Sequence, residues 1–76
     1  MELRNILDIC DILYEYGTYV SINDIIDDSG LDKDIILKVL DLLIEYEIIE
    51  EKNNKYITIM EYSNAYDTII KKYKWK

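Results

Sequence analysis

The sequence predicts a mainly α-helical fold with a small β-hairpin, an α+β domain with an additional C-terminal helix. Helical spacing of apolar residues recurs in four stretches. Between the last two, apolar and β-branched residues flank a short polar turn, as in a hairpin. A chain of 76 residues is enough for one domain. We therefore expect a single domain over residues 1–76, with a core over 1–60 and a C-terminal helix and basic tail over 61–76.

The first helix is predicted over residues 2–16. Its apolar side chains recur opposite a polar stripe and are Leu3, Ile6, Leu7, Cys10, Leu13 and Tyr14. Gly17 follows, a residue that readily takes positive φ beyond a helix end. Tyr19 and Val20 then form a short extended segment.

The second helix is predicted over residues 22–28. Ser21 can cap its first amides, and Asp24 complements the positive end of the helix dipole. A turn at residues 29–31 follows, and Asp32 is the next N-cap.

The third helix is predicted over residues 33–46 with an unusually wide apolar face. That face comprises Ile35, Ile36, Val39, Leu40, Leu43 and Tyr46, flanked by Leu37, Leu42 and Ile44. The polar stripe is narrow and acidic overall, with Asp34, Lys38, Asp41 and Glu45.

Residues 48–59 predict a β-hairpin whose tip is Lys52, Asn53, Asn54 and Lys55. A last helix is predicted to start near Ser63 or Asn64. Its apolar face is Tyr62, Tyr66, Ile69, Ile70 and Tyr73. This face must be covered, either by the first helix of the same chain or by the same helix of a second copy. We predict a homodimer with these five residues at its interface.

The composition argues against an enzyme. With no histidine and one cysteine, the chain can form neither a zinc cluster nor a Ser-His or Cys-His pair. Two glycines are too few for a glycine-rich phosphate loop. Residues 27–34 look like a calcium loop, but placing Gly30 at its sixth position puts Ile25 and Ile36 where carboxylates are required. We predict no catalytic residues, no cofactor and no metal.

The chain is expected to be cytoplasmic and to have no membrane partner. Its apolar runs are too short to span a bilayer, and the start at Met1 shows no basic region typical of a signal peptide. The single cysteine, Cys10, cannot form an internal disulfide and is interpreted as a small buried apolar residue. The eight tyrosines are interpreted as core or interface residues, not as a base-stacking surface.

Residues 20–32 and the order of the elements resemble the winged helix-turn-helix family. The shared pattern is a hydroxyl cap at Ser21, two apolar residues, and Ser29-Gly30-Leu31 before the recognition helix. Apolar positions of that helix are matched by Val39, Leu40 and Leu43, and Ile48-Ile49 match the pair that opens the wing. The resemblance extends over roughly residues 3–60. Glu47 departs from it, since the family usually ends this helix with glycine, and we expect a differently built helix end.

The resemblance is to small archaeal and viral transcription regulators, and it implies binding of double-stranded DNA. The distribution of charge along the chain is unfavourable for DNA binding by the recognition helix. Residues 1–51 carry three basic and fourteen acidic side chains, a net −11, whereas residues 52–76 carry six basic and two acidic ones, a net +4. The recognition helix would therefore be repelled by the phosphates around it.

Two functions stay open. The first is a homodimeric winged-helix transcription regulator that contacts DNA mainly through its wing, at Lys52, Asn53, Asn54 and Lys55, with support from Lys33 and Lys38. The second is a protein-interaction module in a transcription or replication assembly, which uses its acidic face to bind a protein or to compete with DNA.

Overall fold

A third strand joins the hairpin, and the other elements follow in the predicted order. The computed structural model describes residues 2–74. They form α1 (Leu3–Tyr16), β1 (Val20–Ser21), α2 (Ile22–Ser29), α3 (Lys33–Glu45), β2 (Ile49–Lys52), β3 (Lys55–Thr58) and α4 (Tyr62–Lys74). The end of the predicted basic tail, with Lys76, lies outside the described residues. The fold is thus mainly helical with one small antiparallel sheet, which agrees with the predicted α+β class.

Helix α1 ends as predicted at Gly17, where φ is 64° and the amide donates to the Leu13 carbonyl. Its buried face is wider than the predicted stripe. Ile9, which the stripe omits, is fully buried, whereas Leu3, Leu7 and Tyr14 are only partly buried. The reason is that α2, α3, α4 and β3 all pack against this helix, so more than one side of it faces the core.

Helix α2 begins with the predicted cap. The Asp24 amide donates to Ser21 Oγ at 3.3 Å, and the Ser21 amide donates to Asp24 Oδ2 at 3.4 Å, which completes a capping box. Asp32 occupies the N-cap position of α3 as predicted, but its side chain makes no capping hydrogen bond. Its charge still favours the positive end of the helix dipole.

Helix α3 ends in a left-handed residue that is not glycine. Glu47 has a φ of 61°, its amide donates to the Ile44 carbonyl, and the Ile48 amide donates to the Leu43 carbonyl. These two bonds form the Schellman motif that usually places glycine at this position. The expectation of a differently built helix end is therefore wrong, because the same turn forms with glutamate.

Replacing Glu47 with glycine should stabilise the fold by about 0.5–1 kcal/mol, because a β-carbon is strained at positive φ. Urea unfolding followed by circular dichroism would measure the gain. Glu47→Ala is the matched control, since it removes the same charge from the negative end of α3 but keeps the β-carbon. If the glycine variant is no more stable than the alanine variant, the β-carbon at position 47 does not strain the backbone.

The sheet places β3 between β1 and β2, all antiparallel. Strands β2 and β3 are joined by Asn53 and Asn54, with φ values of 54° and 63°. Positive φ at both positions is what a two-residue type I′ turn requires, and asparagine adopts it more easily than most residues. The predicted hairpin tip over residues 52–55 is thus confirmed. The short extended segment predicted at Tyr19 and Val20 contributes Val20 to a third strand, in which Val20 pairs with Tyr56.

Helix α4 starts at Tyr62, slightly earlier than predicted, and packs on α1 of its own chain. Ala65 and Ile69 are fully buried there. The Tyr62 hydroxyl donates to Asp11 Oδ1 at 2.6 Å, and the ring of Tyr14 meets that of Tyr62 edge-on with 5.2 Å between centroids. Part of the apolar face of α4 is thus covered within one chain, whereas Tyr62 and Tyr66 remain exposed.

Candidate nucleic-acid interface

The hairpin tip concentrates positive charge. Lys52 and Lys55 pair directly across the two strands, so their side chains lie on the same face of the sheet. Like charges directly opposite each other destabilise a strand pair. Within residues 2–74 neither lysine forms an ion pair that would offset this repulsion. The tip therefore presents two exposed cations, neither of which has an ion-pair partner among residues 2–74.

A tyrosine extends this surface across the sheet. Val20 and Tyr56 pair and are both buried, so the neighbouring side chains in each strand project from the opposite, outer face. Tyr19 precedes β1 on that outer side and is 39% exposed. Together with Lys52, Asn53 and Lys55 it lines one shallow depression. Asn54, the other predicted tip residue, is exposed beside this depression and does not line it.

Tyr19 was missed by the sequence reasoning, which interpreted the tyrosines as core or interface residues. A signal for it exists in the alternation of Tyr19, Val20 and Ser21. This alternation identifies Tyr19 as an outer-face residue only once Val20 is known to be buried through its pairing with Tyr56.

The two lysines of α3 are not gathered at the hairpin. Lys38 lines one depression with Asp41, Leu42 and Glu45, and another with residues of the α1 N-terminus, and neither includes a hairpin residue. Lys33 is exposed in the first turn of α3, between Asp32 and Asp34. The structure therefore surrounds both predicted supporting lysines with acidic neighbours.

The exposed side of α3 is both acidic and apolar. Asp34, Asp41 and Glu45 are exposed, as predicted for the polar stripe. Leu37 and Ile44, predicted as flanks of the apolar face, are 37% and 36% exposed. They are seven residues apart and therefore lie on the same side of the helix. This side combines two uncovered aliphatic side chains with carboxylates.

The predicted dimer residues on α4 divide into three groups. Ile69 lies in the core of its own chain, so it is not accessible to a second copy. Ile70 and Tyr73 are half-buried. Tyr62 and Tyr66 are 45% and 44% exposed, with 6.5 Å between ring centroids.

Lys71 and Lys72 of α4 have local partners. Lys71 Nζ lies 3.3 Å from Asp67 Oδ2, and Lys72 Nζ lies 5.4 Å from the centroid of the Tyr46 ring. These contacts account for both side chains without a phosphate.

Cys10 and Tyr16 have raised pKa values with local causes. Burial, and secondarily the carboxylate of Asp11, raise the pKa of the Cys10 thiol to about 12. A hydrogen bond to Asp28 is the main cause that raises the pKa of Tyr16 to about 12. A reactive thiol needs a lowered pKa, so Cys10 behaves as the buried apolar residue that was predicted.

Within residues 2–74 no group of three His, Cys, Asp or Glu side chains is arranged to hold a metal ion. In the same part of the chain, every helix is too short or too polar to cross a membrane. Comparison of the chain with family models, curated proteins and solved structures found no match.

Proposed function

We propose that this chain is a winged-helix transcription regulator that binds double-stranded DNA mainly through the hairpin tip at Lys52–Lys55. The observation that carries the proposal is the cross-strand pair of Lys52 and Lys55, for which residues 2–74 provide no ion-paired counter-charge. DNA phosphates would supply that counter-charge and relieve the repulsion. The order of α1, β1, α2, α3 and the hairpin supports the winged-helix assignment, in which α3 is the recognition helix and the hairpin is the wing.

The acidic side of α3 limits how the protein engages DNA. Asp34, Asp41 and Glu45 would face phosphates if α3 entered the major groove deeply. The tip therefore makes the principal contact, with Lys33 and Lys38 as secondary ones. One copy thus has fewer phosphate contacts than the roughly six to ten typical of DNA-binding proteins. A homodimer joined through the exposed Tyr62 and Tyr66 would present two tips to the same duplex.

Replacing Lys52 and Lys55 together with alanine tests this function. Fluorescence anisotropy with a labelled random-sequence duplex should show binding by the wild type at about 50 mM salt, where electrostatic association is strongest. The slope of log K against log salt should become shallower by about 2 in the double variant, since each lost phosphate contact removes close to one unit.

A second double variant, with Lys71 and Lys72 changed to alanine, is the matched control. It alters the net charge by the same amount, but those lysines contact Asp67 and Tyr46 on another part of the molecule. Its salt slope should equal that of the wild type. The contact at the tip would be refuted if the wild type does not bind the duplex at about 50 mM salt, or if both double variants lose the same amount of DNA affinity.

A second candidate function is favoured by the exposed Leu37 and Ile44. Aliphatic side chains in the middle of a DNA-reading helix gain little from a polar groove, whereas they suit a protein partner. Under this alternative, α3 would bind an amphipathic helix whose basic residues meet Asp34 and Asp41. NMR titration with a basic amphipathic model peptide should then shift α3 amides, and Leu37→Ser with Ile44→Ser, which removes the apolar contact without adding charge, should abolish the shifts. Unchanged α3 amides would remove this candidate.

A further inference from the structure

We infer that Tyr19 belongs to the nucleic-acid interface, where its ring packs on a deoxyribose of the strand whose phosphates Lys52 and Lys55 contact. This inference rests on the proposed DNA-binding function and deepens it. It adds a contact whose strength depends on ring area and not on charge.

The register of the sheet places Tyr19 beside the two lysines. Ser21 pairs with Lys55, and Lys55 pairs with Lys52, so these three side chains form one row across the outer face. Tyr19 directly precedes β1, and its side chain lies on the same side of the sheet as the two lysines, because all three residues line one depression. The depression lined by Tyr19, Lys52, Asn53 and Lys55 is the space between the ring and the lysine pair.

Tyr19 also differs from the other exposed tyrosines in having no contact that explains it. Tyr16 hydrogen-bonds to Asp28, Tyr62 hydrogen-bonds to Asp11, and Tyr66 meets the ring of Tyr62. Among residues 2–74, no hydrogen bond or ring contact engages Tyr19. A large ring that is 39% exposed and unused by the fold is placed where a ligand can cover it.

The chemistry of this surface fits a sugar–phosphate strand. The two ammonium groups attract phosphates at either side of a sugar, and the Asn53 amide can donate to a phosphate oxygen. The flat ring supplies an apolar surface for the sugar between them. Aromatic rings that stack on bases contribute about 1–3 kcal/mol each, and a tyrosine ring packed on a sugar likewise buries a large area at a small cost in rotamer entropy.

Tyr19→Ala tests the ring, and Tyr19→Phe tests the hydroxyl. In the same anisotropy titration, Tyr19→Ala should bind about five- to tenfold more weakly, the lower part of the range known for aromatic contacts to nucleic acid. Its salt slope should match the wild type, because no phosphate contact is lost. Tyr19→Phe keeps the ring and should bind within about twofold of the wild type.

Tyr16→Ala is the matched control, since Tyr16 is similarly exposed but lies at the end of α1, outside both the hairpin tip and the proposed dimer contact. Its affinity should be unchanged. If Tyr19→Ala binds like the wild type while the tip lysines still set the salt slope, the inference fails and the proposed function survives. A wild type that binds no DNA refutes both. If Tyr19→Phe binds as weakly as Tyr19→Ala, or if Tyr16→Ala binds equally weakly, ring packing on the sugar is refuted.

Discussion

Leu43→Ala is expected to lower the free energy of unfolding by about 3–4 kcal/mol. Leu43 is fully buried near the C-terminal end of α3. Removing three carbons there loses their transfer free energy and leaves a cavity that a close-packed core closes only partly. A small domain has only about 5–10 kcal/mol of stability in total, so this variant should be close to unfolding at body temperature. Urea unfolding followed by circular dichroism would measure the change.

Leu37→Ala is the matched control for that measurement. It makes the same chemical change on the same helix, but Leu37 is 37% exposed. Its stability should fall by less than about 1 kcal/mol, since little apolar area is lost from the interior. Equal losses in the two variants would show that Leu43 does not lie in the core.

Ile69→Asp is expected to detach α4 from α1 and to destabilise the fold by at least about 3 kcal/mol. Ile69 is fully buried between these helices, and a carboxylate without a partner cannot be accommodated in such a site. When the comparison is made with Tyr66 also changed to aspartate in both proteins, which removes the proposed dimer contact, the loss of stability should be independent of protein concentration, because the Ile69 contact lies within one chain. Thermal unfolding at two concentrations differing about tenfold would measure it, since only a loss arising between chains varies with concentration.

Tyr66→Asp is the companion variant, because Tyr66 is exposed on the same helix and belongs to the proposed dimer contact. It should remain folded, and light scattering should show its mass falling from twice 9.1 kDa to 9.1 kDa. A wild type of 9.1 kDa would refute the dimer. If the Ile69→Asp variant instead stays folded as a monomer, Ile69 is not buried within one chain.

The parts of the fold that sequence predicts well are those whose causes are local. Ser21 and Asp24 form their cap within one helical turn, and Gly17 ends α1 by its own backbone freedom. The hairpin tip is likewise determined by Asn53 and Asn54. Each of these signals involves residues that are neighbours in the chain, so no knowledge of packing is needed.

The parts that sequence reasoning misses depend on distant neighbours. Ile9 is buried because four other elements surround α1. Val20 becomes a strand residue only because Tyr56, far along the chain, pairs with it. The same applies to the candidate site, where the lysines could be named from the turn but Tyr19 could not. Glu47 shows the reverse case, in which the surrounding packing imposes a backbone conformation that the residue itself disfavours.

The position of β2 at the edge of the sheet has a consequence for aggregation. Its residues Glu50, Glu51 and Lys52 are all exposed and charged, and the strand has only four residues. Short, charged edges discourage another chain from adding a strand, because the incoming backbone would have to desolvate those charges. On the other side, β1 has two residues and leads directly into α2. The sheet is therefore a poor template for fibril growth, even while the helices around it are still assembling.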